Sequence, residues 1–420
     1  MNRVMICSSY TAVKDSSART ILQERPKQND YLNLHKCLFF DIDAMLEYAG
    51  YYNTNNLVFD ICKNKNIYGI YFGTYGLKTL SIESLLRLRL NKISIMSHRD
   101  VDHILRGLNT TLKSWGLLSD IIITTNRKAV NKYSSVGVKA FFYSFLPSVS
   151  FIDKLKKRFD VVFVGAFRKE RAYFFKKIRD AGINIKVWGA GWHNYPELFG
   201  GDDEGNIKFI EDGKVERESM SYIYSSAKIC LNYPIFSDNT VYLSGRDFES
   251  VLCKCLLFTV EAPTLKDYFN IDTDIVLYKG IEDAVSKLKY YLINDKEREL
   301  ICSSAFLRIK SLPDQKVILD NAWESFATCI EKKKKQSIID TIADVVKRVF
   351  LLYHFQSIDF CNTVKFLTEI KNEFGDESFN KALNLLEKDG VSYKDLGGGE
   401  MKIDFPNVWD NNLNNWINND

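Results

Sequence analysis

The sequence predicts an α/β protein of two similar-sized domains followed by a helical extension. Three observations carry this. Short, continuously apolar runs alternate with longer helix-period segments over most of the chain. Runs that are apolar throughout suit parallel strands buried on both faces. A break from Leu146-Pro147-Ser148 to Arg158, with a basic linker at Lys154, Lys156 and Lys157, interrupts the series, which restarts at Asp160. After Glu331 the pattern turns to helices alone. The expected divisions are a first Rossmann-like domain over 1–150, a second over 151–330, a helical extension over 331–395 and a flexible tail over 396–420, which is rich in Gly and Asn. A length of 420 residues suits two or three domains.

In order, the strands expected in the first domain are Val4–Cys7, Ile67–Phe72, Ile93–Met96, Ile121–Thr124 and Ala140–Tyr143. In the second they are Val161–Val164, Ile185–Trp188, Ile229–Leu231, Leu256–Val260 and Ile275–Leu277. Amphipathic stretches between them read as helices: Ser81–Leu90, Arg168–Ala181, Arg246–Cys253 and Ile281–Leu292. The extension reads as three more, Ile338–Tyr353, Ile358–Phe374 and Phe379–Leu386. Two domains of this kind face each other across a cleft, and ligands of open α/β sheets bind beyond the carboxyl ends of the strands.

Composition excludes several classes. With 46% hydrophobic and 26% charged residues the chain is neither disordered nor fibrous. A net charge of +4 does not demand nucleic acid. Nine cysteines are odd in number and scattered, with Cys7, Cys37, Cys62, Cys302 and Cys361 among apolar neighbours as buried thiols are. Cys253 and Cys255 have no second pair to complete a zinc site. These features point to a reducing, cytoplasmic compartment. The first residues read as a strand, being too briefly apolar for a signal peptide, and no apolar run has the length to span a bilayer.

Four strand exits could carry chemistry. At the first, Asp160–Val164 runs into Gly165 and a helix opens soon after. Its N-terminus, with Arg168 and Arg171, suits a diphosphate; the alternative is an ordinary turn with solvated arginines. At the second, Ile185-Lys-Val-Trp-Gly-Ala-Gly-Trp192, Gly189 and Gly191 leave backbone accessible. Trp188 or Trp192 could pack beside a flat ring, or both could belong to the core.

The third is the most specific. A strand ends at Asn232, and Ser244-Gly-Arg-Asp-Phe-Glu249 opens a helix near Gly245. Arg246 and Glu249, spaced i, i+3, share a face near its positive end. The carboxylate can accept both ribose hydroxyls while the Arg holds phosphate; the alternative is a surface ion pair. The fourth, Ser94-Ile-Met-Ser-His-Arg-Asp100, offers His98 and Asp100 as acid–base partners for an acceptor hydroxyl. Alternatively Asp100 caps a helix. A metal site from His98, Asp102 and His103 lacks a further ligand cluster.

These pieces, in this order, resemble a known family. The segment from Val161 to about Ala327 looks like the donor-binding half of the GT-B glycosyltransferases, closest to the CgeB-like "glycosyl transferases group 1" branch. The matching elements include Phe163-Val-Gly…Arg168, Val187-Trp-Gly-Ala-Gly-Trp, Ala227-Lys-Ile-Cys-Leu-Asn232, Arg246-Asp-Phe-Glu249 and Leu256-Leu-Phe-Thr. The first half follows the acceptor-domain rhythm more loosely, and residues 331–420 match nothing in the family. Where the group commonly has a second Glu touching the sugar, this chain has Val241.

The resemblance implies a glycosyltransferase that moves a sugar from a nucleotide diphosphate sugar to a cell-surface glycan or lipid-linked acceptor, in polysaccharide biosynthesis. Glu249 would hold the ribose and Arg168 would face the diphosphate. Gly165, Arg171, Gly189, Gly191, Asn232, Gly245 and Arg246 would complete the donor site. No metal and no cofactor beyond the donor substrate is expected, since arginines and helix N-termini can stabilise the departing diphosphate. Two other classes share the pattern: a non-catalytic sugar-binding or surface-assembly protein, and a nucleotide-sugar epimerase. The stripe of Ile338, Ile339, Ile342, Val345, Val346, Val349 and Phe350 either docks on the domains or, with Lys332–Lys335, makes peripheral membrane contact through 332–353.

Overall fold

The computed structural model describes residues 2–8, 22–24, 35–73, 80–99, 116–124, 130–131, 133–134, 136–143, 149–209, 215–233, 243–312, 315–397 and 400–405. The chain forms two compact units, one of Met1–Tyr143 with Lys316–Asp420, the other of Ser144–Gln315. The expected break at Leu146–Ser148 and the tail beyond 405 lie outside the described residues.

In the first unit the strands are β1 (Asn2–Ser8), β2 (Leu22–Glu24), β3 (His35–Asp41), β4 (Gly69–Phe72), β5 (Ser94–Arg99), β6 (Ile121–Thr124) and β7 (Lys139–Phe142). They form one sheet in the order β2-β3-β1-β4-β5-β6-β7, parallel except for β2. The sequence reading omitted β2, β3 and the helix Ile42–Asn64. That helix breaks at Gly50 (φ 76°) and carries outward Tyr48, Tyr51 and Tyr52, so its apolar residues do not mark one face. The helix Ile82–Leu90 is better marked: Ser81 Oγ accepts from the Ser84 N–H at 3.1 Å, and Leu85, Leu86 and Leu88 are buried.

The second unit has β8 (Phe159–Val164), β9 (Ile185–Trp188), β10 (Ala227–Leu231), β11 (Leu256–Val260) and β12 (Val276–Tyr278), all parallel, in the order β12-β11-β10-β8-β9. Each strand was legible as an apolar run to within two residues at either end. The chain winds one way from β8 to β9 and the other way through β10, so the topological switch lies between β8 and β10.

The expected helical extension is not a separate body. Residues from 316 onward cluster with the first unit, and the helix Gln315–Lys335 runs through the expected boundary at 330. The helices Ile338–His354, Phe360–Phe374 and Asp376–Lys388 share one core with the first sheet, where Ile342, Val345 and Val349 pack in the same cluster as Ile70, Ile95 and Ile122. Burying each such side chain is worth about 1.5–3 kcal/mol. Part of the expected tail is also built in: β13 (Ser392–Gly397) and β14 (Glu400–Asp404) form a hairpin, with Met401 and Phe405 buried.

Charges fasten the same segment. Arg89, 1% exposed, donates to the Leu118 carbonyl (2.6 Å), to Asp120 (2.9 Å) and to Asp344 (2.5 Å). Lys333 Nζ reaches Asp120 at 2.8 Å, and Arg348 donates to the Leu117 carbonyl at 2.8 Å. Ile342, Val345, Val346, Val349, Phe350 and Lys333 are thus taken up inside the unit, as the docking alternative for 332–353 expects, while Ile338 is exposed. Among the described residues no helix is long and apolar enough to cross a membrane.

Candidate functional site

The residues expected around a donor gather at the carboxyl ends of β8, β9 and β10 in the second unit. Two loops interlock there. The Gly165 N–H donates to the Trp188 carbonyl at 2.8 Å, the Phe167 N–H to the Ala190 carbonyl at 2.8 Å, and Trp192 Nε1 to the Gly165 carbonyl at 2.7 Å. Gly189 has φ +129°, and a β carbon on it would strike the Gly165 carbonyl. Gly191, with φ +82°, lies against the Phe167 β carbon. Gly189 is buried and Gly191 half-buried, so both serve the closure of these loops. Trp188 and Trp192 are fully buried, which removes them as flat partners for a ligand ring.

Arg246 is the hub. Its Nε donates to the Val164 carbonyl at 2.7 Å, and its Nη1 donates to Asn232 Oδ1 and, at 3.5 Å, to Ser244 Oγ. The guanidinium lies 4.4 Å from the centre of the Phe163 ring, a cation–π contact. Its Nη2 sits over Gly165, where a β carbon would come within 2.5 Å of it. Gly165 therefore makes room for an arginine side chain as much as for a turn.

Asn232 is buried and fully used. Its Nδ2 donates to Asp247 Oδ1 at 2.5 Å, its N–H to the Phe258 carbonyl at 2.8 Å, and its carbonyl accepts from Tyr278 Oη at 3.0 Å. Asp247 is a site residue marked in the sequence only by the capping-box spacing Ser244-x-x-Asp247. Its other carboxylate oxygen accepts from the Ser244 N–H at 2.7 Å and Oγ at 3.1 Å. That fixes the start of the helix Gly245–Leu252. Burial raises the Asp247 carboxyl above its ordinary value, with Arg246 and these hydrogen bonds pulling the other way. A closed polar network of this kind orders its members as a unit.

The remaining site residues divide by exposure. Glu249, one turn into that helix, is 6% exposed, which excludes a surface ion pair with Arg246. Arg171, 7% exposed, donates to the Ala166 carbonyl (2.8 Å) and the Tyr233 carbonyl (3.1 Å) and lies 4.8 Å from the centre of the Phe163 ring. It braces the loop and is not turned to solvent. Arg168 is exposed at the start of the helix Lys169–Asp180; its guanidinium donates to the adjacent Phe167 carbonyl over a long 3.4 Å. The first turns of both helices offer N–H groups without intrahelical partners.

His98 belongs to the first unit. It is the next-to-last residue of β5, opposite Ile123 of β6, and meets Tyr143 edge-on at 5.8 Å. Asp100, Asp102, His103 and Val241 lie outside the described residues, as do the side chains of Cys7 and Cys37. Among the described residues no three His, Cys, Asp or Glu side chains form a group that could hold a metal ion. Cys62, Cys253, Cys255 and Cys302 are buried free thiols, with Cys253 pushed up to about 12 by burial; Cys361 is exposed, contrary to expectation.

Residues 168–315 match the family described as "Glycosyl transferase-like". Among curated proteins none matches the sequence. Among solved structures the chain is similar to sucrose-phosphate synthase from Thermosynechococcus elongatus, with TM-score 0.51 and 10% identity over 80% of this chain and 99% of that one. It is also similar to HepE of Anabaena, determined with UDP and glucose, with TM-score 0.50 and 10% identity over 78% of this chain and 100% of that one. A second HepE structure, with UDP-glucose, gives TM-score 0.51 at 9% identity over 78% and 100%. At these identities the likeness is one of fold.

Proposed function

We propose, from the premise that this chain is a glycosyltransferase of the GT-B fold, that it moves a sugar from a nucleotide diphosphate sugar onto a glycan acceptor without a divalent metal. The observation that carries the reading is the switch point between β8 and β10. There an exposed Arg168 and a framed Arg246 stand at the first turns of two helices, with Glu249 one turn behind. Such a group answers a diphosphate and a ribose together. HepE, whose structures hold UDP, glucose and UDP-glucose, shares the fold and supports the choice of donor class. Membership of the CgeB-like branch is part of the same proposal and rests on the ordered motifs from Phe163-Val-Gly to Leu256-Leu-Phe-Thr, Arg246-Asp-Phe-Glu249 among them.

In the reaction the bond between the sugar's anomeric carbon and the diphosphate oxygen breaks, and the diphosphate leaves with the electron pair. Arg168, Arg246 Nη2 and the two helix starts meet the charge that develops on it. The acceptor hydroxyl bonds to the anomeric carbon and gives up its proton. His98 and Asp100 are the first unit's candidates to take it.

The test is thermal unfolding with UDP, GDP, dTDP and CMP. A nucleotide at 100-fold its Kd should add about 2.7 kcal/mol. Glu249→Ala should weaken that nucleotide by about 1.5–3 kcal/mol, and the 2′,3′-dideoxy form should bind the wild type correspondingly less well. Turnover of the matching nucleotide sugar should survive EDTA. If no nucleoside diphosphate stabilises the chain, the reading fails; if turnover needs added magnesium, its metal-free part fails.

A further inference from the structure

The first unit holds a feature that the donor-site reading does not use. A cavity of about 850 Å³ opens between the Ile42–Asn64 and Ile82–Leu90 helices, the stretch from Tyr353 to Phe366, and β14. A second, of about 510 Å³, adjoins it and shares Tyr51, Ser81, Glu83 and Phe366 as walls. We propose that this double cavity binds a neutral oligosaccharide.

The chemistry of the walls selects that class. Tyr51 is 50% exposed and Tyr52 77% exposed, and both line the smaller cavity. Exposed tyrosine rings offer flat apolar faces to the C–H face of a sugar and hydroxyls to its rim. Amides stand close by, Asn56 in the smaller cavity and Gln356 and Asn362 in the larger. Planar amides and carboxylates can each answer two neighbouring hydroxyls. Ser357 also lines the larger cavity, and its buried Oγ has no hydrogen-bond partner.

Other ligand classes fit less well. The charged walls are Glu83, Asp359, Glu369 and Glu373 against Arg87 and Lys365. Lys365 is already held by Glu83 at 2.8 Å, and Arg87 lies 4.4 Å from the centre of the Phe59 ring. The excess is acidic, which disfavours phosphates, uronates and nucleotides. A wholly apolar ligand would strip water from Glu83 and Asp359 without replacing their hydrogen bonds. The proposal is independent of the donor-site assignment, and separate variants test the two.

The experiment uses the full chain on a printed array of neutral and anionic glycans, followed by calorimetric titration with the best neutral hexasaccharide. Neutral glycans should bind. Tyr51→Ala and Gln356→Ala should each weaken the hexasaccharide by about tenfold. Tyr52→Ala, at a residue largely in solvent, serves if either variant does not fold. Glu249→Ala should leave hexasaccharide binding unchanged, and Tyr52→Ala should leave UDP stabilisation unchanged. Binding of anionic glycans alone, binding of none, or hexasaccharide affinity indifferent to all three cavity substitutions in folded protein would overturn the proposal.

Discussion

Arg246 spends two of its donor groups on the frame of the site before any ligand arrives, on the Val164 carbonyl and on Asn232. Asn232 is held in turn by Asp247, so the direction of the guanidinium is set by residues that need not touch a ligand. Arg168 is the opposite case, exposed and only loosely bonded to the Phe167 carbonyl. Arg168→Ala should therefore leave stability within about 0.5 kcal/mol while weakening UDP more than uridine, since a guanidinium addresses phosphate charge. Titrating both ligands into the variant checks this, and equal loss for both would assign Arg168 a packing role. Gly189→Ala should do the reverse. Its positive φ and the Gly165 carbonyl in the path of a β carbon should cost about 1–3 kcal/mol, read as a lower urea midpoint at unchanged slope.

At the scale of elements, the Ile338–His354 helix joins the first unit through an apolar stripe and a buried charge cluster. Burial would push the Asp344 carboxyl up, but Arg89, Arg348 and Lys333 together outweigh it and hold the group well below the usual 3.8. Asp120 is also lowered, by Arg89 and Lys333 against burial. Groups depressed in the folded state contribute stability that is present above their unfolded values and lost as pH falls through the folded ones. Unfolding free energy should thus hold steady down to about pH 4 and fall steeply below it. Asp344→Asn, which leaves Arg89 short of a partner, should cost about 3–5 kcal/mol at neutral pH and flatten that acid slope. Urea unfolding across the acid range checks both, and a slope unchanged by the substitution would place the acid sensitivity elsewhere.

For the molecule as a whole, the C-terminal quarter is part of the first unit's core. A chain ending at 330 would lose Ile342, Val345, Val346 and Val349, all fully buried, and would leave Arg89 and Asp120 without Asp344 and Lys333. The expected outcome is a truncation that does not fold or stay in solution, checked by expression and circular dichroism beside the full chain. A well-folded 1–330 protein would show that the segment is only an addition to a finished core.

The sequence by itself determined the α/β class, the ten apolar strands and the local site motifs, because a buried parallel strand and a helix start are each written in a few consecutive residues. Gly165, Asn232, Arg246 and Glu249 were legible for that reason. Only the tertiary structure decided what Gly165, Asn232 and Arg246 touch and that Glu249 is buried. Arg246 reaches a carbonyl 82 positions away, and Arg89 a carboxylate 255 positions away, separations at which no sequence spacing carries information. Trp188 and Trp192 read equally well as ligand platforms or as core, and burial assigned them to the core. The helices after 331 were seen as helices but not as part of the first unit. A stripe of Ile and Val records that a face is buried, while the surface that buries it is set by the fold.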